Sequence, residues 1–334
     1  MRRFLFNQVV FTILLLIICI AETSAQNNWR QIIKMNQPIT EIGFPFIGDF
    51  HFKEYQFVDK ENGILKYNYL LAGVDIYPNV FLFDSEELKI QSWASFGTRL
   101  RVWNKRRSPL RSNYIWESSH AIKTPSFLPA IHLAYQLNHK DDGSDHKTNY
   151  LEFSFTHHSN GQDAPTLASQ DSSLLLPDDY IYNIVDGDFS SNFLTICYRK
   201  SNWNQNSFMS HSYYFKLDGL GSEKFDHDDL HKYVLGYQLR WLFDQFAKTE
   251  DPSYSHVFDF AISLGTEKIE NFTINKGLCV SLSYHYRLPF SDRIAVFGKY
   301  GYMGQDQYNI YLGQSLHYLR IGLSISNFKM IGDD

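Results

Sequence analysis

Cysteine is scarce in this chain of 334 residues, with three in all. Cys19 sits in an N-terminal apolar run behind Ile17-Ile18 rather than behind small residues, a context that argues against lipoprotein processing. That leaves Cys197 and Cys279, which could pair in an oxidising compartment but are too few for a disulfide framework. Long apolar runs are missing too. Beyond the N-terminus no stretch reaches about 18 uninterrupted apolar residues, which excludes further membrane-spanning helices. Nor is there an excess of positive charge. The formal net charge is -5, and no basic cluster exceeds Lys105-Arg106-Arg107, which reads as a solvated turn, so nucleic acid is not an expected partner. No amphipathic helix of useful length and no tandem repeat is visible.

What is there begins with Met1-Arg2-Arg3, followed by the apolar run Val9 to Ile20 and by Ala21-Glu22-Thr23-Ser24-Ala25. A basic start, an apolar middle and small residues before the break make a secretory signal peptide over residues 1–25, cut after Ala25. Residues 26–334 are then expected to form one domain. That domain is rich in aromatics, 16% of the chain with 22 Tyr and 27 Phe, although the mean hydropathy is -0.32.

The pattern of these residues has a period of two. Leu278, Val280, Leu282, Tyr284, Tyr286 and Leu288 share one parity; Cys279, Ser281, Ser283, His285 and Arg287 share the other. Tyr233 to Trp241, Phe258 to Leu264, Ile294 to Tyr302 and Leu319 to Ile325 repeat the pattern. A strand places alternate side chains on opposite faces. The pattern therefore fits a barrel with apolar residues towards lipid and polar residues towards a hydrated interior. It fits equally a soluble sandwich with the faces exchanged. The signal peptide, the tyrosine-rich strand ends and the strand lengths favour an all-β fold, an antiparallel transmembrane β-barrel. The polar segments Asn138 to Asn149, Gly161 to Ser191 and Asp218 to His231 are expected to be outer loops, and Pro289 to Asp292 a periplasmic turn.

One stripe ends unusually. Leu151, Phe153, Phe155, His157 and Ser159 share a face, and Asn160-Gly161 follows. Two residues along a strand, His157 and Ser159 have Cα atoms about 6.7 Å apart and side chains that can converge. A serine hydroxyl becomes nucleophilic when a base removes its proton, and a histidine needs a third group to orient its ring. Asn192 continues the stripe of Leu194, Ile196 and Tyr198 on the next predicted strand and can serve; Asn183 competes for the role. His157 and Ser159 would then act where lipids are, whereas His158 points into the lumen. His227 and His231 are spaced like metal ligands on a helix, but they lie in a predicted loop without the zincin glutamate.

The segment His157 to Gly161 resembles the outer-membrane phospholipase A family, as do Phe96 to Asn104, Ser118-Ser119, Pro125 to Tyr135, Tyr233 to Leu239 and Tyr300 to Asn309. The resemblance runs over residues 90–328 and is loose outside the triad region. It implies a barrel of about twelve strands in the bacterial outer membrane, hydrolysing acyl esters of glycerophospholipids as a calcium-dependent phospholipase A1 or A2. It also implies His157 as general base, Ser159 as nucleophile, Asn192 as the orienting residue, and an active homodimer. Calcium ligands would come from Ser119, the carbonyl of Gln162, and Thr166 or Ser169. The chain departs from the family in a longer gap between Ser159 and Asn192, carrying Asp163, Asp171, Asp178, Asp179, Asp186 and Asp188. The alternative is a non-catalytic barrel, a small pore or carrier, that keeps the family fold.

Overall fold

The computed structural model describes residues 28–47, 55–59, 63–85, 87–105, 126–141, 145–159, 190–204, 206–219, 233–245, 254–266, 277–291, 293–303 and 316–326. The signal-peptide segment 1–25 lies outside them. Among the described residues, one short helix, α1 (Asn28–Asn36), precedes fourteen strands: β1 (Thr40–Ile47), β2 (Tyr55–Asp59), β3 (Gly63–Ile76), β4 (Asn79–Ser85), β5 (Ile90–Lys105), β6 (Ser126–Asp141), β7 (Asp145–His158), β8 (Ser191–Asn204), β9 (Ser207–Asp218), β10 (Tyr233–Gln245), β11 (Tyr254–Thr266), β12 (Leu278–Arg287), β13 (Ile294–Met303) and β14 (Leu316–Ile325).

Every pairing is antiparallel, and neighbours in sequence are neighbours in the sheet from β5 to β14. Closure comes at the N-terminal side. β1 pairs with β14 through Thr40↔Ile325 to Pro45↔Arg320 and with β3 through Glu41↔Asp75, while β3 also pairs with β5. β3 and β4 form one interrupted strand along β5, because Ile76↔Thr98 and Asn79↔Ser95 keep the same register across Tyr77-Pro78. The carbonyl of Pro78 still accepts from the N–H of Phe96 at 2.9 Å, which bridges the gap. β2 extends β1 along the same edge of β3. The ring therefore has twelve staves, and closing it removes the exposed edges that an open sheet would present.

The burial pattern settles which face meets lipid. In β7, Glu152, Ser154, Thr156 and His158 are buried, whereas Phe153, Phe155 and His157 are exposed. Leu133, Ile131, Ile196, Leu235, Leu282, Val296 and Leu323 are exposed apolar side chains on other strands, while Glu41, Asp75, Lys216, Arg240, His285 and Arg320 are buried. A water-soluble protein rarely exposes an apolar surface larger than a few hundred Å². A hydrocarbon surround makes this surface favourable and leaves the polar groups to satisfy one another within. Aromatic contacts band one end of the exterior, where Trp241, Phe243, His256 and Tyr286 contact in series at centroid distances of 4.5, 4.8 and 5.3 Å. Such belts mark a membrane interface.

Links at the two ends differ in length. Residues 86–89, 142–144, 205–206, 246–253 and 288–293 connect strands at one end; residues 106–125, 159–190, 219–232, 267–277 and 304–315 connect them at the other. Bacterial barrels carry short turns on the periplasmic side and longer loops outside. By that rule the segment Asn138 to Asn149, expected as an outer loop, belongs to the periplasmic end. It is a hairpin, not a loop: β6 and β7 stay paired from Asn138↔Asn149 to Asp141↔His146. The apolar alternation stops there because these strands run on past the apolar band, where both faces are polar.

Inside the barrel, α1 packs against the wall. α1 has Trp29, Ile32, Ile33 and Asn36 on one face, spaced for a helix, and buries all four with Met35. Trp29 meets Tyr150 edge-on at 4.9 Å, and Asn36 Nδ2 donates to Tyr150 Oη at 3.0 Å and Ser201 Oγ at 3.2 Å. Arg240 donates to the carbonyls of Met35 and Gln37 while its guanidinium forks onto Asp259, both N···O distances 2.7 Å. No amphipathic helix of useful length is expected from the sequence, and α1 is a short one. At nine residues α1 is too short for periodicity to reveal, and wall contacts hold it rather than intrinsic propensity. Cys197 and Cys279 are both free thiols, on β8 and β12.

Candidate active site

β6, β7 and β8 bring the sequence-predicted residues together at the end that carries the long loops. The register Leu151↔Tyr198, Phe153↔Ile196, Phe155↔Leu194 continues to His157↔Asn192, so these two residues sit directly opposite each other and share a face. His157 Nδ1 lies 2.8 Å from Asn192 Oδ1. An amide oxygen can only accept, so the ring carries its proton on Nδ1 and leaves Nε2 as its acceptor. Both side chains stand on the exterior, continuing the apolar stripe of Phe153 and Phe155. His158 points the other way and is buried, as its parity requires.

Ser159 is held by its backbone. The register Ala130↔Thr156, carried three residues further, gives the bridge Phe127↔Ser159. Pro129 therefore lies across from His157, and its missing N–H interrupts the ladder beside the imidazole. Pairing then resumes: Phe127 N–H donates to the Ser159 carbonyl at 2.8 Å, and Ser159 N–H donates to the Phe127 carbonyl at 3.0 Å. This exchange anchors the last described residue of the strand, half-buried, on the same face as His157. The roles of Phe127 and Pro129 were not legible in the motif, because they act through backbone on a neighbouring strand.

Ser119, Gln162, Thr166 and Ser169, the candidate calcium ligands, lie outside the described residues, as do Asn183, His227, His231 and the acidic run between Ser159 and Asn192. Among the described residues, no group of three or more His, Cys, Asp or Glu side chains is placed to hold a metal.

A closed antiparallel barrel, apolar outside and polar within, defines an integral outer-membrane protein. Neither models of protein families nor curated protein sequences match this chain. Solved structures do. Outer membrane phospholipase A from Escherichia coli superposes with a TM-score of 0.50 at 12% identity, over 89% of this chain and 97% of that one. Its active-site mutant, in which an asparagine is changed to alanine, gives the same score over 90% and 98%. The Salmonella typhi outer membrane phospholipase, a dimer with bound calcium, matches at 0.50 and 11% identity over 90% and 98%. At such identities the likeness is one of fold.

Proposed function

We propose that this barrel is a phospholipase of the bacterial outer membrane that hydrolyses acyl esters of glycerophospholipids at Ser159. The observation that carries the reading is the 2.8 Å contact between His157 and Asn192 on the lipid-facing exterior, with Ser159 two residues further along the same strand face. His157 Nε2 takes the proton of Ser159 Oγ as that oxygen attacks the ester carbonyl. Collapse of the tetrahedral adduct breaks the ester C–O bond, and His157 returns the proton to the departing lysophospholipid. Water then repeats the sequence on the acyl-serine and releases the fatty acid. Asn192 keeps the imidazole in the tautomer that can do this. That an asparagine belongs to the active site of the similar Escherichia coli enzyme supports the assignment.

Calcium is part of the proposal through the sequence resemblance and through the calcium-bound Salmonella typhi structure. When bound it would supply positive charge to offset the oxyanion. Its ligands would fall at Ser119, Gln162 and Thr166 or Ser169, and no step is derived through it. A homodimer, the state of that same structure, would let two exteriors enclose an acyl chain. The burial of α1 against the inner wall, where it occupies part of the bore, counts against the rival reading of a pore.

The test is lipid turnover by refolded protein. Ser159→Ala should abolish fatty-acid release from phospholipid dispersions while the barrel keeps its heat-modifiable gel mobility. Turnover that survives in the folded variant removes the proposed nucleophile.

A further inference from the structure

The lumen holds a serine–histidine–carboxylate relay, separate from the exterior group of Ser159, His157 and Asn192. Ser95 Oγ on β5 lies 2.8 Å from His132 Nε2 on β6, and His132 Nδ1 lies 3.1 Å from Glu152 Oε1 on β7. A carboxylate accepts from Nδ1–H, which leaves Nε2 to accept the serine proton; both distances agree with that order. Two further contacts fix the arrangement. Trp93 stacks on the His132 ring, centroids 4.8 Å apart and planes 4° from parallel. Arg199 Nε donates to Glu152 Oε2 at 2.8 Å and Arg199 Nη1 to Ser212 Oγ at 2.9 Å, so the carboxylate cannot rotate freely.

The relay borders space. Ser95, His132, Glu152 and Arg199 line a cavity of about 120 Å³ together with Gln37 and Asn79. An engineered cavity of about 150 Å³ accepts benzene, so this one suits a group of a few heavy atoms. Gln37, just past α1, is 5% exposed, and neither its side-chain oxygen nor its nitrogen has a hydrogen-bond partner. Burying an amide with both ends unpaired costs on the order of 1–3 kcal/mol or more. A polar occupant of the cavity removes that cost, and a carbonyl oxygen is a natural acceptor for the Gln37 amide.

We propose that the lumen is a second acyl-transfer site, in which Ser95, with His132 as its base and Glu152 as the positioning residue, reacts with short-chain acyl esters that enter the cavity beside α1. The Ser95 Oγ–acyl bond forms as the ester C–O bond breaks. The serine proton passes to His132 Nε2 and on to the leaving alcohol, and water releases the short acid. The site is independent of the exterior serine and differs from it in substrate, since the cavity excludes a long acyl chain.

Methanesulfonyl fluoride is a probe small enough to enter. The serine oxygen displaces fluoride at sulfur, and His132 takes the proton. The experiment uses the full-length folded Ser159→Ala protein, so that the exterior site neither reacts nor matters, and maps adducts by mass spectrometry. Ser95 should be modified at least roughly 100-fold faster than the other lumenal serines Ser201, Ser210 and Ser212, the gain expected from a positioned base. His132→Gln in the same background should erase that preference. His132→Asn in the same background should erase it too, which tests the base even where His132→Gln does not fold. Modification of Ser95 no faster than of the three reference serines, or a preference that survives His132→Gln, overturns the proposal. Lipid turnover by the parent protein bears on neither outcome.

Discussion

His157 and Asn192 face each other across β7 and β8, joined by a 2.8 Å hydrogen bond on the surface that meets lipid. In that bond the asparagine only accepts, so any side chain offering an oxygen at the same place should hold the imidazole equally well. Asn192→Asp should therefore keep phospholipid hydrolysis within about tenfold of the parent, whereas Asn192→Ala should lose about 10²-fold in kcat with little change in KM. Initial rates on mixed micelles over a range of lipid concentrations measure both. Equal losses in the two variants would mean that the amide does something other than accept from Nδ1.

The inside-out reading makes its own demand. Leu133 of β6 and Phe153 of β7 are opposite each other, and Phe153 is opposite Ile196 of β8; all three are exposed apolar side chains in the middle of their strands. Leu133→Arg should destabilise the barrel by about 2–4 kcal/mol if this row lies at the bilayer midplane. Urea titration of folding into phosphatidylcholine vesicles, followed by tryptophan fluorescence, reads the cost. A neutral outcome would place the row in water.

How much of this could be read beforehand depends on which signal each feature leaves. The barrel wall was legible because period-two alternation is a long-range regularity: Leu278 to Leu288 announces β12, and His285 and Ser283 prove to be buried inside it. Alternation alone leaves its direction open, since a soluble sandwich writes the same pattern; the signal peptide, the tyrosine-rich strand ends and the strand lengths pointed it towards lipid. The pairing of His157 with Asn192 followed from parity on two adjacent strands. Its precondition, the register across a long intervening loop, is a property of the sheet and not of either strand. α1 is obscure in the sequence because nine residues give little more than two turns, and its stability comes from Tyr150, Ser201 and Arg240 on strands remote in sequence. The Ser95–His132–Glu152 relay is hidden for the same reason. Its members come from three strands, and only the alignments Trp93↔His132 and His132↔Ser154 bring them to one region of the lumen.

Arg240 ties the wall to the helix, and its removal should show in both. Arg240→Ala leaves Asp259 as a half-buried carboxylate without its forked partner and takes a donor from the carbonyls of Met35 and Gln37. Breaking one side of a buried pair costs about 3–5 kcal/mol. The helix should loosen as well, so trypsin should cut after Arg30 or Lys34 in folded Arg240→Ala under conditions where the parent resists. The double variant Arg240→Met, Asp259→Leu removes both charges and should recover most of the wall's stability without restoring protection of α1. Protection that returns in full would show that Arg240 acts on the wall alone.

Two glycines mark places where a tyrosine ring lies flat across the neighbouring strand. Gly236 is opposite Tyr214, and Gly301 is opposite Tyr318, and a Cβ built on either glycine would collide with the ring of its partner. The ring covers the backbone that the missing side chain leaves bare, as in aromatic rescue of strand glycines. Gly236→Val should force the Tyr214 ring out of this position and cost about 1–3 kcal/mol despite the better strand propensity of valine. Combining Gly236→Val with Tyr214→Ala should return much of that loss, because the clash goes with the ring. The same urea titration compares the single and double variants. Losses that simply add would mean that glycine is kept at 236 for a reason other than room for Tyr214.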